Sequence, residues 1–201
     1  MNYATLASLI QSTAQSYDTT FIATIPTFVQ QAERMIHMEA KLPSMRKNST
    51  GATVVGSRSV TLPTDYITDK AIDITTASGV VNLLPKAAEY ISEMYPVSAT
   101  QAQPKFYARY DETTIILGPT PDQIYTVGFH YNAMPTSIVT ASTTWLGNNF
   151  EQVLLYGSLL HAYTFLKGSA DVMAYYKTAY DTGLTEMKAM IAQTKMQEFR
   201  N

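Results

Sequence analysis

The chain has 201 residues, a formal net charge of −2 at pH 7 and no cysteine. This length gives one large domain or two small ones with a core that needs no disulfide. The lack of cysteine excludes thiolate metal sites and cysteine nucleophiles. The near-neutral charge disfavours a dedicated nucleic-acid binder. Charged residues make up only 15% of the chain against a usual value of roughly 25%, which is typical of subunit interfaces or of a plain neutral surface.

The first ten residues contain no basic leader and no long apolar stretch, so they are not expected to be a secretory signal. No window of the sequence approaches the ~20 apolar residues that span a bilayer. We therefore expect a soluble protein that is made in the cytoplasm and does not enter a membrane.

Two helices are predicted in the first 44 residues. Apolar side chains recur at helical spacing over residues 3–16, which favours a short amphipathic helix. A second helix is expected to begin near Thr24 as its N-cap, with Pro26 in the first turn. It should end at Leu42, because the residue before a proline is pushed out of the helical region.

From Met45 the pattern changes to short alternating segments, which predict an antiparallel β-module over residues 45–142. The expected strands are residues 53–62, 65–76, 80–84, 105–110, 113–117 and 123–131. A short helix is predicted at residues 85–95, with a proline at its start and another directly after it. The segment 132–144 is rich in Pro, Ser and Thr and is expected to be a loop.

The last third of the chain predicts a helical hairpin. Residues 150–166 are apolar almost all round a helix, so other elements must enclose that helix. Residues 171–198 carry apolar side chains at spacings of three and four, and Gly168 suits the end of the preceding helix. We therefore expect a bundle of about four helices, formed by residues 1–44 and 143–201, around the inserted β-module. This is an α+β fold.

No catalytic group, metal site or cofactor site is predicted. His37 follows Glu33 by one helical turn, but a single pair without further ligands is more typical of an exposed helix surface than of a metal site. His161 is expected to be buried and hydrogen-bonded, and His130 has no partners that complete a triad. A small hydrolase built around His130 and Asp122 remains an alternative.

Three further groups of charged or aromatic side chains call for an interpretation. Asp65, Asp69 and Asp73 are expected on one solvated strand face. Six aromatic residues either pack in a core or interface or stack the bases of a single-stranded nucleic acid; they are Phe106, Tyr107, Tyr110, Tyr125, Phe129 and Tyr131. A mildly basic set is either scattered surface charge or a contact for an acidic partner or DNA; it comprises Arg34, Lys41, Arg46, Lys47 and Arg58.

Taken together, several segments resemble the head-to-tail adaptor (connector, or neck) proteins of tailed bacteriophages. They are residues 25–36 in the second helix, 60–67, 115–121 and 125–131 in the β-module, Trp145 with Leu146, residues 154–160, and Tyr175, Tyr176 and Tyr180. They follow one another in the family's order over most of the chain.

The resemblance implies a structural virion protein of the head–tail junction, made in the host cytoplasm, with no enzymatic activity. It implies a homo-oligomeric ring of about twelve subunits, which docks under the portal protein and receives a tail nozzle or tail-tube protein. Tail fibres are a possible further partner. Genomic DNA would pass through the lumen without sequence-specific binding. The alternative is a single-stranded nucleic-acid-binding module that uses the aromatic strands.

Two sets of contact residues follow from this resemblance. The C-terminal residues Lys195, Phe199 and Arg200 are the candidates for contact with the portal. Tyr156, Tyr163, Phe129 and Tyr131 are the candidates for contact between subunits.

Overall fold

The structure is a computed structural model that describes residues 1–40 and 42–198, with side chains described as far as residue 193. The chain forms two compact units. Residues 1–44 and 135–201 form a helical unit, and residues 45–134 form a β unit. Over the described residues, no helix is both long enough and apolar enough to cross a membrane.

The helical unit contains four long helices and two short ones in its described part. They are α1 (Tyr3–Ala14), α2 (Thr19–Ala40), α4 (Ile138–Ala141), α5 (Trp145–Asn149), α6 (Glu151–Phe165) and α7 (Ala170–Glu198). Helix α6 packs against α1, α2 and α7, which explains why its sequence is apolar all round. The predicted α+β fold and its helical hairpin are confirmed.

Helix α2 begins at Thr19, so the predicted start near Thr24 and Pro26 is wrong. Asp18 caps the helix, because its Oδ1 accepts hydrogen bonds from the backbone N–H groups of Thr20 at 2.7 Å and Phe21 at 3.1 Å. These bonds favour the carboxylate and hold the pKa of Asp18 below its usual value. Pro26 lies inside the helix, where a proline removes one backbone donor and its ring crowds the carbonyl four residues earlier.

The segment 135–144 belongs to the helical unit and is partly helical. Ser137 caps α4 by accepting a hydrogen bond from the N–H of Val139. Glu33 of α2 is 5% exposed, and its Oε1 accepts a hydrogen bond of 2.9 Å from the N–H of Ile138. The helical unit therefore resumes at Pro135, earlier than the sequence-based boundary after residue 142.

The β unit contains eight strands and one helix in its described part. They are β1 (Arg46–Ala52), β2 (Ser59–Thr61), β3 (Tyr66–Thr76), β4 (Gly79–Asn82), β5 (Leu84–Pro85), α3 (Ala88–Met94), β6 (Phe106–Arg109), β7 (Thr114–Gly118) and β8 (Thr126–Ala133). The predicted helix at 85–95 is shorter, because Leu84 and Pro85 pair in parallel with β6. The first predicted strand is misplaced, since residues 46–52 pair with β8 while residues 53–55 form a loop.

The strands form two sheets of four. The first, which we call sheet A, has the order β1-β8-β3-β4, and the second has the order β2-β7-β6-β5. One apolar cluster contains residues of both sheets, among them Ile72 and Val127 from sheet A and Ile115 and Leu117 from the second sheet. The core of the β unit therefore lies between its two sheets.

The three strand carboxylates do not share one solvated face, so that prediction is wrong. Asp65 accepts hydrogen bonds from Lys47 and Tyr131, Asp69 from Tyr107, and Asp73 pairs with His130. The β3–β8 register shifts twice, between residues 66 and 68 and between residues 69 and 71. Each shift breaks the two-residue alternation on which the prediction relied.

Candidate functional site

The residues predicted to contact other subunits divide between a partly exposed cluster and a buried core. Tyr156 and Tyr163 lie on α6, two helical turns apart and therefore on one face. Their rings pack against Tyr176 of α7, with centroid distances of 6.1 Å and 5.0 Å. Burial raises the pKa of the Tyr176 phenol. We call Tyr156, Tyr163, Tyr175 and Tyr176 the aromatic ladder.

Tyr175 is the exposed end of the aromatic ladder. Its ring meets Tyr156 edge-on at 6.5 Å and Tyr176 at 5.7 Å. The residue is 62% exposed, whereas Tyr176 is 7% exposed. The subunit-contact prediction omitted Tyr175, although its position next to a core tyrosine on an amphipathic helix was visible in the sequence. A large aromatic side chain presented on a rigid helix is typical of protein interfaces.

Phe129 and Tyr131 lie elsewhere, in the core of the β unit. They are 2% and 1% exposed, and the Tyr131 hydroxyl donates a hydrogen bond of 2.8 Å to Asp65. Their direction follows from the alternation of β8, in which Val127, Phe129 and Tyr131 are buried. Rings this deeply buried leave almost no surface for a second copy, so we retain only Tyr156 and Tyr163 of the four candidates.

The same burial removes the basis for base stacking. Four of the six strand aromatics are at most 5% exposed; they are Tyr107, Tyr125, Phe129 and Tyr131. A base can stack only on an exposed ring face. The structure therefore gives no support to the single-stranded nucleic-acid module.

The candidates for portal contact lie at the end of the chain. Phe199 and Arg200 are outside the described residues, and Lys195 lies on α7 with its side chain outside them. The last buried side chain described on α7 is Ile191, and Ala192 and Gln193 are exposed. The prediction for these three residues stays a prediction.

A second candidate contact surface is formed by two loops of the β unit. The Thr53 hydroxyl donates to the carbonyl of Gln123 and accepts from the N–H of Tyr125 at 2.8 Å, so the two loops are tied together. Each loop exposes apolar side chains next to these two hydrogen bonds. Val54 is 62% exposed, and Ile124 is 71% exposed. We call Val54, Val55 and Ile124 the loop patch, and we treat it as a candidate because exposed apolar patches mark protein contact sites.

His130 is held by two polar neighbours in sheet A. His130 Nε2 lies 2.7 Å from Asp73 Oδ2, and its Nδ1 lies 2.9 Å from Asn48 Oδ1. Both ring nitrogens are thus occupied by neighbours in the sheet. Asp122, the partner in the hydrolase alternative, instead accepts a hydrogen bond from the Tyr125 hydroxyl. Among the described residues, no group of three or more His, Cys, Asp or Glu side chains is arranged to hold a metal ion.

The other two histidines are structural, and both predictions for them need correction. Glu33 and His37 are not an exposed pair, since they are 5% and 4% exposed. His37 Nδ1 lies 2.6 Å from the Glu33 backbone carbonyl, and burial lowers the pKa of His37. His161 Nε2 is buried without a hydrogen-bond partner among the described residues, and burial lowers its pKa as well.

Comparison with known proteins identifies the family. The model of the SU10 adaptor protein family matches residues 1–200. The chain belongs to the SU10 adaptor protein family. The resemblance to head-to-tail adaptors is thereby confirmed, and so is the prediction that the protein is structural rather than enzymatic. The adaptor has its place at the head–tail junction of the virion.

Two further comparisons add little to this assignment. The adaptor is similar to a chain from the neck of an empty GTA particle computed with C6 symmetry, with 12% identity, a TM-score of 0.29, and coverage of 86% of this chain and 87% of the other. No argument rests on a structural overlap of that size. None of the curated proteins matches the chain.

Proposed function

We propose that the adaptor forms a closed ring of about twelve copies, which joins the portal protein to a tail nozzle or tail-tube protein and lets genomic DNA pass through its lumen. Family membership supports the joining role. The low proportion of charged residues, 15%, supports the ring, because subunit interfaces are depleted in Lys, Glu and Asp.

The observation that carries the proposal is the presence of two different contact surfaces, one on each unit. Copies in a ring meet head-to-tail, so each copy needs two unlike surfaces, whereas a two-fold dimer needs one self-complementary surface. The aromatic ladder ends in the exposed Tyr175, and the loop patch presents Val54 and Ile124. We assign both surfaces to contacts between neighbouring copies.

The test compares two tyrosines of similar exposure. Tyr175 is 62% exposed and Tyr110, on the turn between β6 and β7, is 69% exposed. Tyr175→Ser should reduce the fraction of the adaptor found in rings, whether these form alone or on a portal, and Tyr110→Ser should not. Mass measurement of the mixtures gives the result. If both variants assembled equally well, the aromatic ladder would not lie in the interface between copies.

We further propose that the C-terminal end of α7 contacts the portal through Lys195, Phe199 and Arg200. The support is that α7 continues for a further seven residues after Ile191, its last described buried residue. Deletion of residues 197–201 should abolish co-sedimentation with the portal. Unchanged co-sedimentation would refute this contact, and the ring could still form without it.

A further inference from the structure

One face of sheet A turns away from the core of the β unit. The strand β8 lies between β1 and β3, and its buried residues alternate with Thr126, Gly128, His130 and Asn132. The register places Arg46, Asn48 and Thr50 of β1, and Ala71, Asp73 and Thr75 of β3, opposite these four residues. We call these ten residues, together with the adjoining Lys70, the outer face of sheet A.

Two unpaired cations stand on this face. Arg46 and Lys70 are exposed, and no hydrogen bond or ion pair is described for either within the part of the chain that the structure covers. They line a depression of about 290 Å³ together with Lys47, Asn48, His130 and Tyr131. Arg46 lies on β1 and Lys70 on β3, two strand spacings apart or roughly 10 Å. Their long side chains can therefore reach one anionic ligand from opposite sides.

The two carboxylates near the cations are already engaged. Asp73 has a side chain 10% exposed, and His130 Nε2 lies 2.7 Å from it. Asp65 accepts hydrogen bonds from Lys47 and from the Tyr131 hydroxyl, and these bonds lower its pKa. The charges of Arg46 and Lys70 therefore remain available to a ligand.

The rest of the face suits a phosphate backbone better than a protein. A second depression of about 600 Å³ adjoins the first at Asn48 and His130 and is lined by the hydroxyls of Thr50, Thr75 and Thr126. Protein interfaces have an apolar centre, whereas Val80 is the single large apolar side chain among the residues described for this depression. Cations flanked by hydroxyl and amide groups are the usual donors to phosphate oxygens.

We propose that the outer face of sheet A binds the phosphate backbone of duplex DNA, with Arg46 and Lys70 as the ion-pairing residues. This inference rests on the proposed passage of DNA through the adaptor. Binding is independent of base sequence, because the two ion pairs are made to phosphate groups, which carry no sequence information. Two ion pairs give a weak contact whose affinity falls as the salt concentration rises.

The experiment measures fluorescence anisotropy of a labelled 20-base-pair duplex with the full-length adaptor over a series of salt concentrations. Affinity falls with salt, so a plot of log affinity against log salt has a negative slope. Arg46→Gln/Lys70→Gln should make this slope less steep by about 1.8, which corresponds to the loss of two phosphate contacts. The control Lys105→Gln/Lys167→Gln removes two positive charges from exposed positions elsewhere and should leave the slope unchanged. Circular dichroism melts check that both variants are folded.

Three results would overturn the proposal. They are an unchanged slope in Arg46→Gln/Lys70→Gln, an equal loss in the control, and binding of labelled poly-glutamate as tight as that of the duplex at the same salt. The last result would assign the face to an acidic protein instead. Assembly with the portal is measured separately on the same variant. A variant that assembles normally but binds DNA as well as the unchanged protein refutes the DNA site alone.

Discussion

Gly128 makes room for the Asp73 carboxylate in the middle of sheet A. We therefore predict that Gly128→Ala destabilises the β unit when Asp73 is present and stabilises it when Asp73 is replaced by alanine. A Cβ at residue 128 would lie 2.6 Å from Oδ1 and 2.8 Å from Oδ2 of Asp73. The side chain of Asp73 is 10% exposed, with His130 Nε2 at 2.7 Å from its Oδ2. Gly128→Ala therefore forces the carboxylate away from His130 or bends the strand.

The expected magnitude depends on whether Asp73 is present. In the unchanged protein, Gly128→Ala should lower the free energy of unfolding of the β unit by about 1–3 kcal/mol, the usual cost of overpacking. In an Asp73→Ala background the obstructing oxygens are gone. There the same substitution should raise that free energy by about 0.5–1 kcal/mol, because alanine is favoured over glycine in a strand interior.

Hydrogen exchange of the β8 amides, followed by mass spectrometry, measures the opening free energy of this strand in all four proteins. Fluorescence does not serve, since the single tryptophan, Trp145, lies in the helical unit. A cost of the same sign and size in both backgrounds would show that Gly128 is needed for a reason other than Asp73.

Two further predictions concern the helical unit. Glu33→Ala leaves the N–H of Ile138 without its acceptor and should lower the free energy of unfolding by about 1–3 kcal/mol. Glu33→Gln keeps an acceptor oxygen and should lower it by less. Equal melting temperatures of these two variants would contradict the prediction. Burial lowers the pKa values of His37 and His161 below the ordinary histidine value of about 6.5. The unfolded chain therefore binds more protons, so stability should fall as the pH drops below about 6.5. In His37→Gln/His161→Gln, stability should depend less on pH, as measured in melts followed by Trp145 fluorescence. If stability fell as steeply with pH in this variant as in the unchanged protein, these two histidines would not be the cause.

The helical hairpin could be predicted from the sequence because both of its signals are local. Helix α6 is apolar all round, and it packs against three other helices. The apolar residues of α7 recur at helical spacing, and Tyr176, Tyr180 and Leu184 are all buried. Periodicity of this kind depends only on backbone geometry, so it can be recognised in the sequence before the tertiary contacts are known.

One error is local, and the others occur where a tertiary contact replaces a local preference. Pro26 suggested a helix start, but Asp18 begins the helix earlier by capping it. The strand β1 has the sequence Arg-Lys-Asn-Ser-Thr-Gly-Ala, which has no strand propensity of its own and is defined by its pairing with β8. Two register shifts in β3 separate Asp65, Asp69 and Asp73 from one another along the strand, and no pattern in the sequence reveals them.

The contact surfaces were only partly predictable for the same reason. Tyr156 and Tyr163 could be found because they stand out on a helix that needs cover. Phe129 and Tyr131 could not be separated from them by residue type, since an aromatic side chain serves a core as well as an interface. Only the direction of alternation in β8 decides that these two rings face inward.

The mass of the purified adaptor, alone and mixed with the portal protein, tests the central proposal most directly. We predict a particle of about twelve copies, formed either by the adaptor alone or only when the portal is present. A monomer that keeps the mass of a single chain, 22.3 kDa, in both samples would contradict the ring.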